Sequence, residues 1–402
     1  MIGSIMQVSL FFLPSVGTRE DIEAGMAGNR PELYQDMLAD LSAFAKAGDA
    51  LGYDSIGFTE HHFHIEGFEV SPNPIMLDLY LAMQTERIRV GQLGLVLPAQ
   101  NPIRVAEDIA MLDHMTGGRA LAGFARGYQR RWVDTLAQQI HGVHAAHPGN
   151  HDAIDAANRA AFEEHFNIIR TCWTEEMVEY KGHAWQIPPE GTPWDIEATK
   201  MYGKGVDENN IVRQVGVVPK PLQKPHPPLF QPFASSENTI RWCAREGITA
   251  ILPPMYPELQ NRLYEVYQEE AASVGRTLKP GEGLGVLRDV IITDTDEEAI
   301  ELWHHSAAFA GGAWFAPFGF AEALRPPGKD LMTLDEQLAN GLTFLGTIDT
   351  VKKQVQNMLD VTPVSWIFMW QYNGLLSQGQ ILRTIEDFSE KVLPEFGGLG
   401  ND

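Results

Sequence analysis

The segment YDSIGFTEHHFH, residues 53–64, begins with an apolar run typical of a buried β-strand and continues into a glutamate and three histidines. In a barrel of parallel strands, side chains that directly follow a strand are presented at the carboxyl-terminal face, where such folds build their functional sites. The segment therefore predicts both a strand of the fold and the edge of a functional site.

The chain on either side of this segment alternates between predicted strands and predicted helices. Further strands are predicted at residues 7–13, 88–98, 119–125, 228–234, 248–253, 283–293 and 363–371. Helices are predicted at residues 31–52, 73–86, 102–116, 159–173, 236–247, 257–275, 295–309, 349–360 and 379–393.

Apolar strands that alternate with helices are typical of a parallel sheet whose two faces are covered. For a chain of 402 residues we expect one α/β domain over residues 1–402, a (β/α)8 TIM barrel. A doubly wound sheet is the alternative, because alternation alone does not separate the two folds.

Two long stretches interrupt this alternation. Residues 127–158 and residues 187–228 are polar or rich in proline and glycine, and both stand between predicted strands. Long loops after barrel strands often carry function. We expect both stretches to be βα-loop insertions that act as substrate lids, and plain surface excursions are the alternative.

The composition limits the partners of the chain. Its 53 acidic and 30 basic residues give a formal net charge of -23, which repels phosphate backbones and anionic lipid surfaces. We therefore expect neither nucleic acid nor a membrane as a partner. The first apolar run is too short to span a bilayer. The two cysteines, Cys172 and Cys243, are expected to be reduced thiols of a cytoplasmic protein.

The histidines that follow the second strand allow three interpretations: a metal site, a catalytic base, or a polar loop without a role. Adjacent side chains of an extended segment point in opposite directions, so His61 and His62 cannot easily share a metal. We expect no metal site. A neutral imidazole at His61 could transfer a proton or donate a hydrogen bond at the active face of a barrel.

Three other places are candidates for ligand binding. Gly94 lies inside a predicted strand, where a glycine marks a bulge or a close approach of ligand or backbone. Arg126 follows the fourth strand and suits a phosphate, with an ion pair to a carboxylate as the alternative. Ser235, Ser236 and Thr239 open a predicted helix, where hydroxyl and N–H groups form an anion site, with ordinary capping as the alternative.

Two further observations concern the ligand. Neither the G-x-G-x-x-G pattern nor a phosphate-loop GKS/T pattern occurs, so the common dinucleotide and nucleotide sites are not supported. Aromatic side chains could line an apolar pocket, although each is more often part of a core. They are Trp132, Trp185, Trp194, Trp314, Phe315, Phe318 and Trp370.

Several segments, taken in chain order, resemble the bacterial luciferase-like flavin monooxygenases. They are EHHF (60–63), VGQLGLVLP (90–98), NPIRVAEDIAMLDHMTGGRALAGFARGY (101–128), ASSENTIRWCAREG (234–247) and FLGTIDTVKKQV (344–355). The resemblance covers nearly the whole chain and leaves out mainly the two insertions.

This resemblance implies a (β/α)8 barrel and a two-component, FMN-dependent monooxygenase. A separate NAD(P)H:flavin reductase would supply reduced FMN, and O2 would react with it to give a peroxyflavin that oxygenates a small organic substrate. A homodimer is expected, since the family is commonly dimeric. The alternatives are an F420-dependent oxidoreductase on the same barrel and a non-catalytic flavin-binding protein.

The resemblance also implies roles for individual residues. His61 matches the histidine associated with proton transfer beside the flavin. Leu93 and Gly94 match a pair that in luciferase is joined by a non-prolyl cis peptide bond beneath the isoalloxazine ring. The residues expected around the FMN phosphate are Arg126, Tyr128, Ser235, Ser236 and Thr239. Ala125 and Ser235 stand where luciferase has its reactive cysteine and a glutamate, so light emission and a long-chain aldehyde substrate are not implied.

Overall fold

A computed structural model describes residues 6–139, 142–146 and 152–399. Its strands are β1 (Gln7–Phe12), β2 (Ser55–Thr59), β3 (Arg89–Val96), β4 (Ala120–Ala125), β5 (Tyr180–Lys181), β6 (Gln186–Ile187), β7 (Leu229–Gln231), β8 (Thr249–Leu252), β9 (Leu284–Ile292), β10 (Phe344–Gly346) and β11 (Trp366–Gln371). Its α-helices are α1 (Arg19–Ala24), α2 (Pro31–Leu51), α3 (Pro74–Ala82), α4 (Pro102–Met115), α5 (Arg130–Leu136), α6 (Ala153–Thr174), α7 (Glu197–Tyr202), α8 (Glu237–Glu246), α9 (Pro257–Ser273), α10 (Asp296–His305), α11 (Ala307–Ala310), α12 (Leu334–Ala339), α13 (Ile348–Val361) and α14 (Gln378–Asp387).

Parallel pairings close eight of these strands into a barrel. The order around the barrel is β1, β2, β3, β4, β7, β8, β9 and β11, and β11 pairs again with β1. These eight strands are the eight that the sequence predicts, and the (β/α)8 barrel is confirmed. The closed circuit rules out a doubly wound sheet, which would end in two edge strands.

The contacts of the chain divide it into two compact units. The first comprises the residues up to Leu95, Leu121–Phe124 and the residues from Leu229 onward, and it contains the barrel except for the terminal residues of β3 and β4. The second comprises Val96–Ala120 and Ala125–Pro228, with helices α4 to α7 and the antiparallel pair β5–β6. The single-domain interpretation stays a prediction.

Glycines allow the barrel strands to approach one another around Leu93. A Cβ atom at Gly57 would lie 2.5 Å from the Leu93 side chain, and one at Gly123 would lie 2.5 Å from the Leu93 Cα. Phe58 pairs with Gln92 and Thr59 pairs with Gly94, so Leu93 is the extra residue of a β-bulge. The bulge predicted at Gly94 is confirmed, and it lies beside the end of β2.

Aromatic side chains fill much of the barrel interior. The rings of Phe230 and Trp366 are 5.2 Å apart, and those of Trp366 and Phe368 are 5.4 Å apart. Nearer the carboxyl end of β11, Trp370 contacts the ring of Phe11 at 6.0 Å and that of Phe233 at 5.7 Å. The Trp366–Phe368 pair is stacked and the other pairs are edge-to-face, and both kinds of contact stabilise a core beyond the burial of apolar area.

Several elements differ from the predicted ones. Helix α6 begins at Ala153 rather than at residue 159, because the Asp152 carboxylate accepts hydrogen bonds from the N–H groups of Ile154 and Asp155 at 3.0 Å each. Helices α5 and α7 lie inside the predicted insertions 127–158 and 187–228. The lid predicted over 127–158 also includes residues 140, 141 and 147–151, which lie outside the described residues.

Strands β5, β6 and β10 are also absent from the sequence prediction. They are two or three residues long and too short to show a hydrophobic period. None of the helices in the described ranges combines the length and the hydrophobicity that a membrane crossing requires.

We predict that Gly123→Ala destabilises the barrel by about 1–3 kcal/mol or more, because the added methyl would overlap the Leu93 backbone. Urea denaturation measures the change. Gly379→Ala on α14 is the matched control, since a Cβ there meets no atom within 4 Å, and alanine in a helix should be neutral or slightly stabilising. Equal stabilities for the two variants would contradict the close packing around Leu93.

Candidate active site

The candidate site begins with the loop that follows β2. The His61 N–H donates to the Ser71 carbonyl at 3.0 Å, and the Glu60 N–H donates to the Gly94 carbonyl at 3.2 Å. The His61 ring is buried, with its Nδ1 atom 3.2 Å from the Thr59 hydroxyl and its Nε2 atom 3.6 Å from the carboxylate of Glu69. The predicted placement of His61 directly after a barrel strand is confirmed.

The neighbouring histidines take different directions. The His62 Nε2 atom lies 2.9 Å from the Glu60 carboxylate, and the His64 Nδ1–H donates to the Phe68 carbonyl at 2.8 Å. The expectation that His61 and His62 point apart is therefore confirmed. Within the described part of the chain, no group of three or more histidine, cysteine or acidic side chains is arranged to hold a metal.

The environment of His61 keeps its imidazole neutral. Burial, together with the nearby imidazoles of His64 and His62, lowers the pKa of His61 well below its usual value. The ring is thus uncharged at neutral pH, which is the form that a general base requires. The residue type alone predicts an imidazole that titrates near neutral pH, and the reason for the difference is the complete burial of the ring.

The Leu93–Gly94 pair differs from the luciferase pattern. Every cis peptide bond in the described residues precedes a proline, and the Leu93–Gly94 bond is trans, the usual form for a non-prolyl bond. The position that a Cβ of Gly94 would occupy lies 3.0 Å from the Thr59 side chain and 3.1 Å from that of Pro232. On this side of Gly94 the close neighbours are therefore protein side chains.

Ser236 and Thr239 are brought together at the start of α8. The Ser236 hydroxyl accepts a hydrogen bond from the Thr239 N–H at 3.3 Å and donates one to the Thr239 hydroxyl at 3.0 Å. The first intrahelical bond runs from Ile240 to the Ser236 carbonyl, and Ser235 precedes the cap in an exposed position. Capping by serine is observed, and an anion site at this helix start is compatible with it.

The start of α13 has the same arrangement of two hydroxyl groups and an N–H group, and a carboxylate is bound there. The Thr347 hydroxyl accepts from the Thr350 N–H at 3.3 Å and donates to the Thr350 hydroxyl at 3.0 Å. Here the Asp296 carboxylate accepts from the Thr347 N–H at 2.8 Å and from the Thr350 hydroxyl at 2.9 Å. In the described residues, no such carboxylate contact is found at Ser236 and Thr239 of α8.

Arg126 and Tyr128 belong to the second unit. The Arg126 guanidinium donates to the Asp155 carboxylate at 2.5 Å and to the Asn158 side-chain oxygen at 3.0 Å. Burial lowers the pKa of Arg126, and the hydrogen bond to Asp155 opposes this. The ion pair considered as an alternative is therefore present. The Tyr128 hydroxyl accepts a hydrogen bond from Gln129 at 2.9 Å.

The second unit also contains a cavity of about 730 Å³. Nearby, the Trp185 indole N–H donates to Nε2 of His165 at 2.9 Å, and the His165 Nδ1–H donates to the Leu97 carbonyl at 2.7 Å. The Glu164 carboxylate accepts from the backbone N–H of Trp185 at 3.2 Å. Of the aromatic residues named from the sequence, Trp185 lines this cavity. The lining residues are Ala99, Gln100, Asn101, Leu136, Val143, Ala157, Ala160, Ala161, Glu164, His183, Ala184 and Trp185.

Sequence reasoning missed Glu69, the buried acidic residue whose carboxylate lies 3.6 Å from Nε2 of His61. It is 2% exposed, although it stands in a loop and has an ordinary acidic side chain. The one signal in the sequence is its place between Phe68 and Val70, two apolar residues that suggest a buried stretch.

Comparisons with known proteins identify the family and relatives of the chain. The family model described as luciferase-like monooxygenase matches residues 6–358. The oxygenase component of a flavin-dependent trigonelline monooxygenase from Acinetobacter baylyi is 25% identical over 288 residues, which are 71% of this chain and 67% of the relative.

Two solved structures share the fold. Monooxygenase RslO1 from Streptomyces bottropensis has a TM-score of 0.74 at 20% identity, covering 97% of this chain and 100% of its own. The oxygenating constituent of 3,6-diketocamphane monooxygenase from Pseudomonas putida, solved in complex with FMN, has a TM-score of 0.72 at 21% identity, covering 98% and 99%.

We predict that the free energy of unfolding rises between pH 5.5 and pH 7, and that His61→Gln reduces this rise by about 1 kcal/mol. The pKa of folded His61 is lowered, so the unfolded chain binds the additional proton in the window below about pH 6.5. Stability must therefore increase with pH across that window.

Urea denaturation at the two pH values gives the difference. His304→Gln, at an exposed position on α10, is the control for replacing an imidazole elsewhere. An undiminished rise in the His61→Gln protein would show that His61 is protonated in the folded state.

Proposed function

The chain belongs to the luciferase-like monooxygenases, and on that premise we propose that it is the oxygenase component of a two-component, FMN-dependent system. Reduced FMN, delivered by a separate NAD(P)H:flavin reductase, would supply the chemistry that activates O2. The substrate is a small organic molecule, and we propose a cytoplasmic homodimer on the strength of the resemblance.

The observation that carries the FMN proposal is the pair of matching helix starts in the first unit. At α13 the hydroxyl and N–H groups hold the carboxylate of Asp296, which demonstrates that this arrangement suits an anion. At α8 the same groups of Ser236 and Thr239 have no carboxylate contact in the described residues, and we propose that the FMN phosphate binds there. A helix start also favours negative charge through its dipole, which fits the phosphate of FMN.

One acidic residue lies in the first turn of α8 and has to be accounted for. The Glu237 carboxylate is paired with Arg262 at 3.1 Å and with Arg241 at 3.6 Å. These arginines offset its charge, so Glu237 does not by itself exclude an anion at the helix start.

The remaining FMN contacts are proposed on the resemblance alone. They are Leu93, Gly94, Arg126, Tyr128 and Ser235. Because Arg126 already pairs with Asp155, its contribution to FMN affinity should be smaller than that of an unpaired arginine. Thr239 is the sharper probe of the phosphate position.

We propose that His61 is the catalytic residue that exchanges protons during oxygen transfer. Its neutral, buried imidazole can accept a proton at neutral pH. The alternatives differ in observable ways, since an F420-dependent enzyme would transfer hydride to or from the deazaflavin, and a flavin-storage protein would bind flavin without turnover. Oxygen consumption with reduced FMN separates these possibilities.

We predict that FMN binds more tightly than riboflavin, and that Thr239→Val weakens FMN binding by about 1 kcal/mol, or roughly fivefold, with little effect on riboflavin. The substitution removes the hydroxyl and keeps both the side-chain shape and the backbone N–H. Fluorescence titration with the two flavins measures the affinities.

The control is Thr350→Val, which removes the equivalent hydroxyl from α13, where Asp296 fills the helix start. It should leave FMN affinity unchanged. Equal affinities for FMN and riboflavin would show that the protein gains no binding energy from the phosphate, whereas an unchanged FMN affinity in Thr239→Val would place the phosphate elsewhere.

We predict that His61→Ala lowers substrate turnover by about two to four powers of ten, the usual contribution of a general acid–base group. FMN affinity should stay within a few-fold, and reduced flavin should be consumed with release of hydrogen peroxide in place of product. Product formation and peroxide are measured together, with His62→Ala as the milder comparison. Normal turnover with normal coupling would remove His61 from the mechanism.

A further inference from the structure

The buried carboxylate of Glu69 lies beside the His61 ring. Glu69 is 2% exposed, with one oxygen 3.6 Å from Nε2 of His61 and the other 3.7 Å from Nδ1 of His64. The indole N–H of Trp314 donates a hydrogen bond to this second oxygen at 2.6 Å. A buried carboxylate is costly unless other groups compensate it, and the groups around Glu69 include His61, His64 and the Trp314 indole.

The backbone conformation and the hydrogen bonds of the loop after β2 fix the position of Glu69. Glu69 and Phe63 both have left-handed backbone conformations, with φ of 49° and 64°, which are strained for residues other than glycine. The loop is fastened to the segment after β1 by hydrogen bonds from Val70 N–H to the Pro14 carbonyl at 2.6 Å and from Val16 N–H to the Gly67 carbonyl at 2.7 Å. Backbone strain of this kind persists where the surrounding structure enforces it.

The two sides of the His61 ring face different partners. Nδ1 faces the Thr59 hydroxyl at 3.2 Å, and Nε2 faces the Glu69 carboxylate. An ionised carboxylate can only accept hydrogen bonds, whereas a hydroxyl can donate or accept. The tautomer with its proton on Nε2 therefore suits both neighbours, and it leaves Nδ1 as the basic atom beside Thr59.

We propose that Glu69 is a positioning residue that holds the proton on Nε2 of His61, so that Nδ1 is the atom that receives protons during the reaction. This inference rests on the proposed catalytic role of His61. Thr59 pairs with Gly94 across the bulge, which the resemblance places beside the flavin. A proton leaving the reacting group passes to the Thr59 oxygen as the Thr59 hydroxyl proton passes to Nδ1. The imidazolium so formed faces the Glu69 carboxylate, and the reverse transfer restores both groups.

The 3.6 Å separation between His61 and Glu69 is longer than a hydrogen bond. At this distance the carboxylate acts by electrostatic attraction, and such contacts commonly shorten when substrate binds. His64 cannot take the same role, because its Nδ1–H is already donated to the Phe68 carbonyl.

Trp314 connects this pair to a distant part of the chain. It lies in a short π-helical segment, Gly311–Phe315, a conformation frequent at functional sites. Its ring packs against His64 at 4.9 Å and Phe68 at 5.3 Å. Trp314 therefore keeps Glu69 oriented toward His61, since its N–H holds the other carboxylate oxygen.

The experiment determines the tautomer of His61 by nitrogen NMR of the flavin-free protein, comparing the parent protein with Glu69→Gln. In the parent protein the proton should be on Nε2. In the variant, the new amide can keep its oxygen on Trp314 and direct its NH2 group at Nε2, so the proton should move to Nδ1. Glu60→Gln is the matched control, because that buried carboxylate contacts His62 and should leave the His61 tautomer unchanged.

A second variant, Trp314→Phe, tests the inference independently in case Glu69→Gln does not fold. Trp314→Phe removes the N–H donor and leaves the carboxylate in place, and it should shift His61 partly toward the Nδ1 tautomer. Circular dichroism confirms the fold of each protein. A parent protein with the proton on Nδ1, or a tautomer that neither substitution changes, would overturn the inference.

Kinetics then separate this inference from the proposed function. Glu69→Gln should lower turnover by up to about a hundredfold, the effect of a small misplacement of a functional group, while FMN affinity changes little. A changed tautomer with unchanged turnover would overturn the positioning role. Normal turnover in His61→Ala would contradict the catalytic role of His61, whatever the NMR result, whereas a parent protein that consumes no oxygen with reduced FMN would contradict the proposed function itself.

Discussion

The packing of Leu93 between two glycines is the constraint on which the site depends. Any side chain at Gly57 or Gly123 would overlap Leu93, so β3 approaches β2 and β4 more closely than larger residues would allow. The space for the extra residue of the bulge comes from these glycines. The bulge sets Thr59 opposite Gly94, and the chain then turns so that the Glu60 N–H meets the Gly94 carbonyl. The position of His61 follows from that turn.

Several charged groups and helix starts in this protein are bound by other groups of the protein itself. Arg126 is matched by Asp155, and the helix start at α13 is matched by Asp296. Leaving such groups without a partner would be costly. At the start of α8, Ser235 and Glu237 are exposed, so water can reach the N–H groups there. An anion site can therefore exist there without a large cost to stability.

The sequence predicts the barrel well because its strands are apolar runs bounded by helices of clear period, and β1 and β9 are examples. It also predicts the bulge, since a glycine inside a buried strand packs poorly and is typical of a bulge or a close approach. The position of His61 after β2 follows from the same reasoning.

The features that the sequence does not predict depend on contacts between distant residues. The partner of Arg126 is set by where α6 begins, and that start depends on capping by Asp152 within a stretch whose composition is that of a loop. Glu69 is buried because the loop after β1 and Trp314, 245 residues away in the chain, enclose it. No local period carries that information. The trans Leu93–Gly94 bond likewise reflects the backbone that forms the bulge rather than the residue types at the two positions.

The segment Gly311–Phe315 links two parts of the barrel unit that would otherwise be independent. Trp314 donates to Glu69, whereas the next residue, Phe315, packs against Trp370 at 5.3 Å. Neighbouring side chains of one short helical turn cannot move separately over large distances, because they share a backbone. The hydrogen bond that holds Glu69 and the packing of Phe315 on Trp370 are therefore anchored by the same helical turn. The position of the Glu69 carboxylate beside His61 thus depends on a turn that is itself fixed by the aromatic cluster around Trp370.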